Sequence, residues 1–314
     1  MARKGTGMRM RLRSRTGRGA GAALGAVLAL TLAGCSTGGG NSGSAAGTSP
    51  SSPPRSAAPP PRTPDSAAPA PPPGAPRSIA ALGDSITRAF DACGALADCP
   101  AASWATGTDQ GVRSLAARLR TPADRTWNFA RTGARMADLD AQTEQALARR
   151  PELVTIMMGA NDACRATPEA MTPVDAYRRD FAAALAKLER GAPAARVYVS
   201  SVPNLERLWE VGRGSENARQ IWGLGICPSM LRAPDSQAAE AVDRRARVTE
   251  RVRAYNEVLR TQCAKHPRCR YDDGAAFAFD FTSAHLSSWD YFHPSEKGQA
   301  SLAALAYERL GGGG

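Results

Sequence analysis

The chain has 314 residues and a formal net charge of +11. Seven of the cations (Arg3, Lys4, Arg9, Arg11, Arg13, Arg15 and Arg18) fall in the first 34 residues with no acid among them, and residues 78–314 carry only about +2. That uneven distribution excludes a folded basic face of the kind nucleic-acid binding requires, so no nucleic-acid partner is expected.

Residues 1–35 read as a bacterial lipoprotein signal. A basic stretch precedes the apolar run from Ala20 to Leu32, which is too short to span a bilayer comfortably. The run ends in Leu32-Ala33-Gly34-Cys35, which resembles the lipobox. That resemblance implies that Cys35 is diacylated, becomes the new N-terminus and anchors the protein to a membrane. An ordinary secretory signal with a chance cysteine is the alternative. Either reading places the mature protein outside the cytoplasm. Residues 36–76 are Gly, Ser, Ala, Thr and Pro with almost no large apolar side chains. Such a segment cannot bury a core, and it is expected to be a disordered tether with an extended proline-rich second half.

Residues 77–314 are long enough to bury a sizeable core as one domain. Arg77 to Leu82 ends apolar and stops at Gly83, as a first buried strand would. Helical patterning follows from Asp109 to Arg120, then a short strand from Thr126 to Ala130 and a helix from Met136 to Arg149, stopped by Pro151. Leu153 to Met158 is the clearest buried strand. A helix is expected from Pro173 to Arg190 and a strand from Arg196 to Ser201. Pro203 to Pro234 reads as a long irregular segment, Gln237 to Lys265 as a long helix, and a last helix opens at Pro294 and runs to about Leu310. Strands alternating with helices predict an α/β fold, a parallel sheet covered on both faces.

The chemistry starts at Gly83-Asp84-Ser85-Ile86-Thr87. A serine just past a strand end sits at the edge where open α/β sheets bind ligands. It needs a base, an orienter for the base and an oxyanion hole. There are three histidines. His266 lies in a loop sequence, His285 has no obvious partner, and His293 follows Asp290 by three residues, so that one turn can bring carboxylate to imidazole. Gly133, after the second strand, can offer its backbone N–H, and Asn161 in Gly159-Ala160-Asn161-Asp162 can offer its side-chain amide. Singly, these are a turn glycine, an Asx turn and a solvated histidine.

In this order the blocks resemble those of the SGNH, or GDSL, hydrolase family. The resemblance spans residues 78 to about 310. It implies a flavodoxin-like three-layer α/β/α domain with a central parallel sheet, cleaving esters without metal or cofactor. It makes Ser85 the nucleophile, His293 and Asp290 the base and its partner, and Ser85, Gly133 and Asn161 the oxyanion hole. No His-Glu-x-x-His or similar ligand cluster occurs. The Gly-x-Ser-x-Gly elbow of α/β-hydrolases is also missing, which argues against that fold.

Besides Cys35 there are six cysteines, which allow fifteen pairings. Spacing favours Cys93–Cys99 and Cys263–Cys269, leaving Cys164 with Cys227, a bridge that would brace the loop of Asn161. Some secreted lipases of the resembled family are similar in carrying three disulfides. Ser201-Val202-Pro203-Asn204-Leu205 looks like the lipase and phospholipase B-like branches. The apolar residues after it (Leu208, Trp209, Val211, Ile221, Trp222, Leu224, Ile226, Met230) suit either an acyl pocket or core. The expected activity is a lipase, phospholipase or carboxylesterase acting on a small-molecule or lipid ester as a monomer. A cell-wall carbohydrate O-acetylesterase and an inactive binding lipoprotein are the alternatives.

Overall fold

The computed structural model describes residues 71–311. The expected leader, the acylation site at Cys35 and the tether up to residue 70 lie outside the described residues. Contact with the domain begins before Arg77: the Thr121 hydroxyl donates to the Pro76 carbonyl at 2.9 Å, and Arg196 donates to that of Gly74 at 3.0 Å.

In chain order the elements are β1 (Ile79–Gly83), α1 (Leu115–Leu119), β2 (Thr126–Asn128), α2 (Leu139–Leu147), β3 (Leu153–Met157), α3 (Ala160–Ala163), α4 (Val174–Gly191), β4 (Arg196–Val199), α5 (Leu205–Gly212), α6 (Glu216–Trp222), α7 (Pro228–Leu231), α8 (Ala239–Cys263), β5 (Cys269–Tyr271), α9 (Ala275–Ala278) and α10 (Glu296–Arg309). The five strands form one sheet in the order β2-β1-β3-β4-β5, and every pairing is parallel. β1 and β3 are central and wholly buried, which is why both read as unbroken apolar runs. Right-handed crossovers put α1 on one face and α2, α4 and α8 on the other. The contacts agree: α4 packs against both α2 and α8, and α1 against α10. α4 buries Tyr177, Phe181, Ala184, Leu185 and Leu188, a single stripe at helical spacing.

The chain leaves β1 toward β2 on one side and returns to β3 on the other. The carboxyl ends of β1 and β3 therefore flank the switch point of the sheet, where a crevice forms. Gly83 ends the first and Met157 the second, so Ser85 and Asn161 leave the sheet at the same edge.

Three expectations are corrected. The helix from Asp109 shrinks to Leu115–Leu119, because the Asp109 carboxylate accepts from the amides of Gly111 (2.8 Å) and Val112 (2.9 Å) and closes a turn instead. Ser114 then caps the short helix through the Ala117 amide. The stretch from Pro203 to Pro234 is not irregular: α5, α6 and α7 occupy it, the first two capped by Asn204 and Ser215. The sequence predicts no strand where β5 forms the sheet edge beside β4. Among the described residues, no helix is long and apolar enough to cross a membrane.

Candidate active site

Ser85 sits in a turn that distant residues hold. Gly83 ends β1 at a φ of +156°, and a Cβ there would lie 2.5 Å from the Thr87 hydroxyl and 2.6 Å from the Met157 carbonyl. Only glycine fits that approach of turn to strand. The Gln142 side chain on α2 clamps the Gly83 peptide from both sides, accepting from its N–H at 2.8 Å and donating to its carbonyl at 2.9 Å. Gln299 on α10 donates to the Ile86 carbonyl at 2.8 Å, and Ser103 and Asn128 both donate to that of Thr87, at 2.7 and 2.9 Å.

The second turn, residues 286–294, is closed by an antiparallel bridge between Leu286 and Pro294 and by the Ser287 amide donating to the His293 carbonyl at 2.8 Å. Within it, Asp290 Oδ1 accepts from the amides of Phe292 and His293, each at 2.9 Å. Its Oδ2 lies in a short hydrogen bond with His293 Nδ1. His293 Nε2 reaches Ser85 Oγ at 2.9 Å. With the ring proton on Nδ1, the serine hydroxyl donates to Nε2. Behind this turn, Trp222 of α6 donates its indole N–H to the Asp290 carbonyl at 3.0 Å.

The loop after β2 follows the end of β1: Phe129 N–H donates to the Ala81 carbonyl and Arg131 N–H to that of Gly83. It carries Gly133 at a φ of +82°. Asn161 Nδ2 donates to the Ala134 carbonyl at 3.0 Å, which ties the loop after β3 to the loop of Gly133. Among the described residues, the backbone amides of Ser85 and Gly133 show no intramolecular acceptor.

The family model for GDSL-like lipases and acylhydrolases matches residues 81–300. The chain belongs to that family. As its members are esterases and lipases, it is a hydrolase, and its mixed α/β fold around an all-parallel sheet is that of the family. Solved structures similar to this hydrolase include an acetylxylan esterase from Geobacillus stearothermophilus in a catalytic-mutant form (18% identity, 74% of this chain and 94% of that one, TM-score 0.46). Another is an extracellular lipase from Streptomyces rimosus (22% identity, 76% of this chain and 99% of that one, TM-score 0.43). No curated protein gave a match.

Electrostatics in the hydrolase centre on buried carboxyls. Burial would push the His293 imidazolium toward losing its proton. The hydrogen bond and charge of Asp290, with Asp84 and Asp91 beyond, outweigh it and raise its pKa above the ordinary histidine value. Asp290 is itself buried, yet the His293 contact and the two amide donors hold its carboxyl below the usual range. Asp84, next to Ser85, is fully buried. Burial lifts its pKa to about 7, even though its Oδ1 accepts from the Ile86 amide at 2.9 Å. Burial likewise raises Asp162 to about 6.

The other two histidines lie outside this arrangement. His266 pairs with Glu189 at 3.0 Å, and His285 Nδ1 accepts from the Thr282 amide at 3.1 Å. Three disulfides join Cys93 to Cys99, Cys164 to Cys227 and Cys263 to Cys269. The second links the end of α3, just past Asn161, to the start of α7. The first closes a loop that is more involved in the site than its sequence implied. Asp98 within it pairs with Arg88 at 3.0 Å and bonds the hydroxyl of Thr132, the neighbour of Gly133. The sequence does not single out Gln142, Gln299 or Asp91, and it offers Trp222 only as an apolar residue of a pocket or core. For the glutamines one signal exists: Gln142 shares the buried side of its helix with Leu139 and Ala146, and Gln299 with Leu302 and Ala306.

Proposed function

We propose that this hydrolase is an extracytoplasmic serine esterase in which Ser85 attacks the ester carbonyl. The hydrogen-bonded series from Ser85 Oγ through His293 to Asp290 carries the reading. His293 Nε2 takes the serine proton as Oγ bonds to the carbonyl carbon, and Asp290 stabilises the imidazolium. The oxyanion is held by the amides of Ser85 and Gly133 and the Asn161 side chain. On collapse, His293 returns the proton to the leaving alcohol. Water then attacks the acyl-enzyme with His293 again as base, releasing the acid and restoring Ser85.

Two substrate readings divide the observations. Most of the apolar residues after β4 that could have lined an acyl pocket are core instead: Leu208, Trp222, Met230 and Leu231 are buried. That favours a short acyl group, as in a carboxylesterase or a carbohydrate O-acetylesterase. Leu96, Leu224 and Trp289 are exposed, and each lies on a segment bonded to the catalytic turns, which favours a lipase or phospholipase meeting a lipid surface. A series of p-nitrophenyl esters from acetyl to palmitoyl, run beside Ser85→Ala, decides between them. Peak activity at acetyl supports the first reading and a peak at octanoyl or longer the second. No turnover of any ester supports an inactive binding lipoprotein.

The surrounding architecture belongs to the same proposal. A lipid anchor at Cys35 would hold a monomeric domain, starting near residue 77, away from the membrane on the 36–76 tether. Three disulfides suit an oxidising compartment.

A further inference from the structure

Asp91 has no part in the mechanism above, yet its carboxylate is buried beside it. The residue is 2% exposed, and its Oδ1 has no hydrogen-bond partner among the described residues. A carboxylate oxygen of Asp91, one of Asp290 and a ring nitrogen of His293 all lie within 4.8 Å of one another. The rest of the carboxyl meets the Leu96 amide and the Asp290 carboxyl, so an ionised Asp91 leaves one buried oxygen without a donor, which is costly.

The backbone holds Asp91 in place. It takes a left-handed φ of +58°, its N–H donates to the Ala97 carbonyl at 2.9 Å across the Cys93–Cys99 loop, and its own carbonyl accepts from the Ser287 hydroxyl at 2.7 Å. The disulfide loop and the catalytic turn thus meet at this residue. The charged groups that face His293 are Asp290 from its own turn, Asp84 from the nucleophile turn and Asp91 from the loop after it. Arg88, on the same stretch as Asp91, is taken up by Asp98. The edge of Phe90 closes another side of the imidazole, with ring centroids 5.1 Å apart.

We propose that Asp91 is a positioning residue of the active site: a second carboxylate that, beside Asp290, stabilises the positive charge His293 acquires when it deprotonates Ser85. This rests on the Ser85–His293–Asp290 reading and adds a member to it. In the resting state His293 is neutral and the two carboxylates repel each other. Proton transfer to Nε2 places a cation between them and relieves that repulsion, so the effect grows toward the transition state. Burial and the charge of Asp290 both raise the Asp91 pKa, as expected for such a pair.

The test is the pH profile of kcat/KM on a short-chain p-nitrophenyl ester for wild type, Asp91→Asn and Ser85→Ala. The wild-type rate falls on acidification with a midpoint above the ordinary histidine value of about 6.5. Removing one negative charge beside the imidazolium lowers that midpoint, so the acidic limb of Asp91→Asn moves down by about one pH unit. Turnover at pH 8.5 falls roughly tenfold with KM held. A loss of rate with the limb unmoved, or no change at all, overturns the proposal and leaves the triad standing. Turnover by Ser85→Ala overturns the triad instead. Should Asp91→Asn not fold, the His293 imidazole nitrogens are titrated by NMR in Ser85→Ala. The same titration in Ser85→Ala/Asp84→Asn removes the third carboxyl: Asp290 and Asp91 then give two inflections, and a single one overturns the proposal.

Discussion

The turn that carries Ser85 is held by residues far away in the chain, whereas the turn that carries Asp290 and His293 is held largely by itself. Gln142 lies 59 positions from the glycine it clamps, and Gln299 lies 213 from Ile86. Asp290, by contrast, accepts from amides two and three residues ahead and pairs with the ring of the latter. A nucleophile must stand at a fixed point on the sheet edge, and only the surrounding fold can supply that point. An acid–base pair must above all be fixed relative to itself, and one turn of chain achieves it. The long-range turn should therefore fail through stability and the short-range one through chemistry.

Ser85→Ala is the control for this contrast and should show the largest effect, because it removes the proposed nucleophile and touches neither set of braces. Turnover should fall by roughly a millionfold with an unchanged melting temperature. Residual activity within a hundredfold of wild type would remove Ser85 from the mechanism. Asp290→Asn leaves an oxygen to accept from the two amides but cannot fix the His293 tautomer. The expected loss is about ten-thousandfold in turnover, with little loss of stability. A variant that unfolds instead would show that the turn is not self-supporting.

Gln142→Ala tests the other side. It strands the buried N–H of Gly83, whose C=O keeps the Arg131 amide, a loss of about 1–3 kcal/mol in chemical denaturation. Turnover should fall less than in either variant above. If denaturation is unchanged while turnover collapses, the clamp acts on chemistry and the contrast is wrong. Asp84→Asn should give the smallest effect, and one of opposite sign. The folded chain binds the Asp84 proton more tightly than the unfolded one, so raising the pH from about 4 to 7 costs stability. Above pH 7 the variant should be the more stable of the two, with the difference gone below pH 4. A lower melting temperature at pH 8 would contradict it.

The same contrast explains what the sequence could disclose. Asp290 and His293 are three positions apart, so their pairing is visible as a spacing. β1 and β3 are visible because a strand buried on both faces must be apolar throughout. β5 is three residues, Cys269-Arg270-Tyr271, partly exposed at a sheet edge, and only β4 makes it a strand. α5 and α6 are seven or eight residues long, shorter than periodicity resolves, although Asn204 and Ser215 were present as caps. Gln142, Gln299 and Asp91 act through partners that no local pattern specifies. The helical stripe places the two glutamines on a buried side but does not say what they bond.

The separation of the parts also bears on synthesis. Ser85 and His293 are 208 positions apart, and the nucleophile turn is completed by Gln299 on the last helix. While the chain is being made, β1, β3 and β4 can pair before residues 290–299 arrive, but the proposed Ser85–His293 pair cannot yet form. Closing such distant contacts is slow relative to local folding. On refolding, esterase activity should therefore lag behind the recovery of secondary structure. A copy that ends before residue 290 would lack the proposed base and the Gln299 brace, so no esterase activity is expected of it.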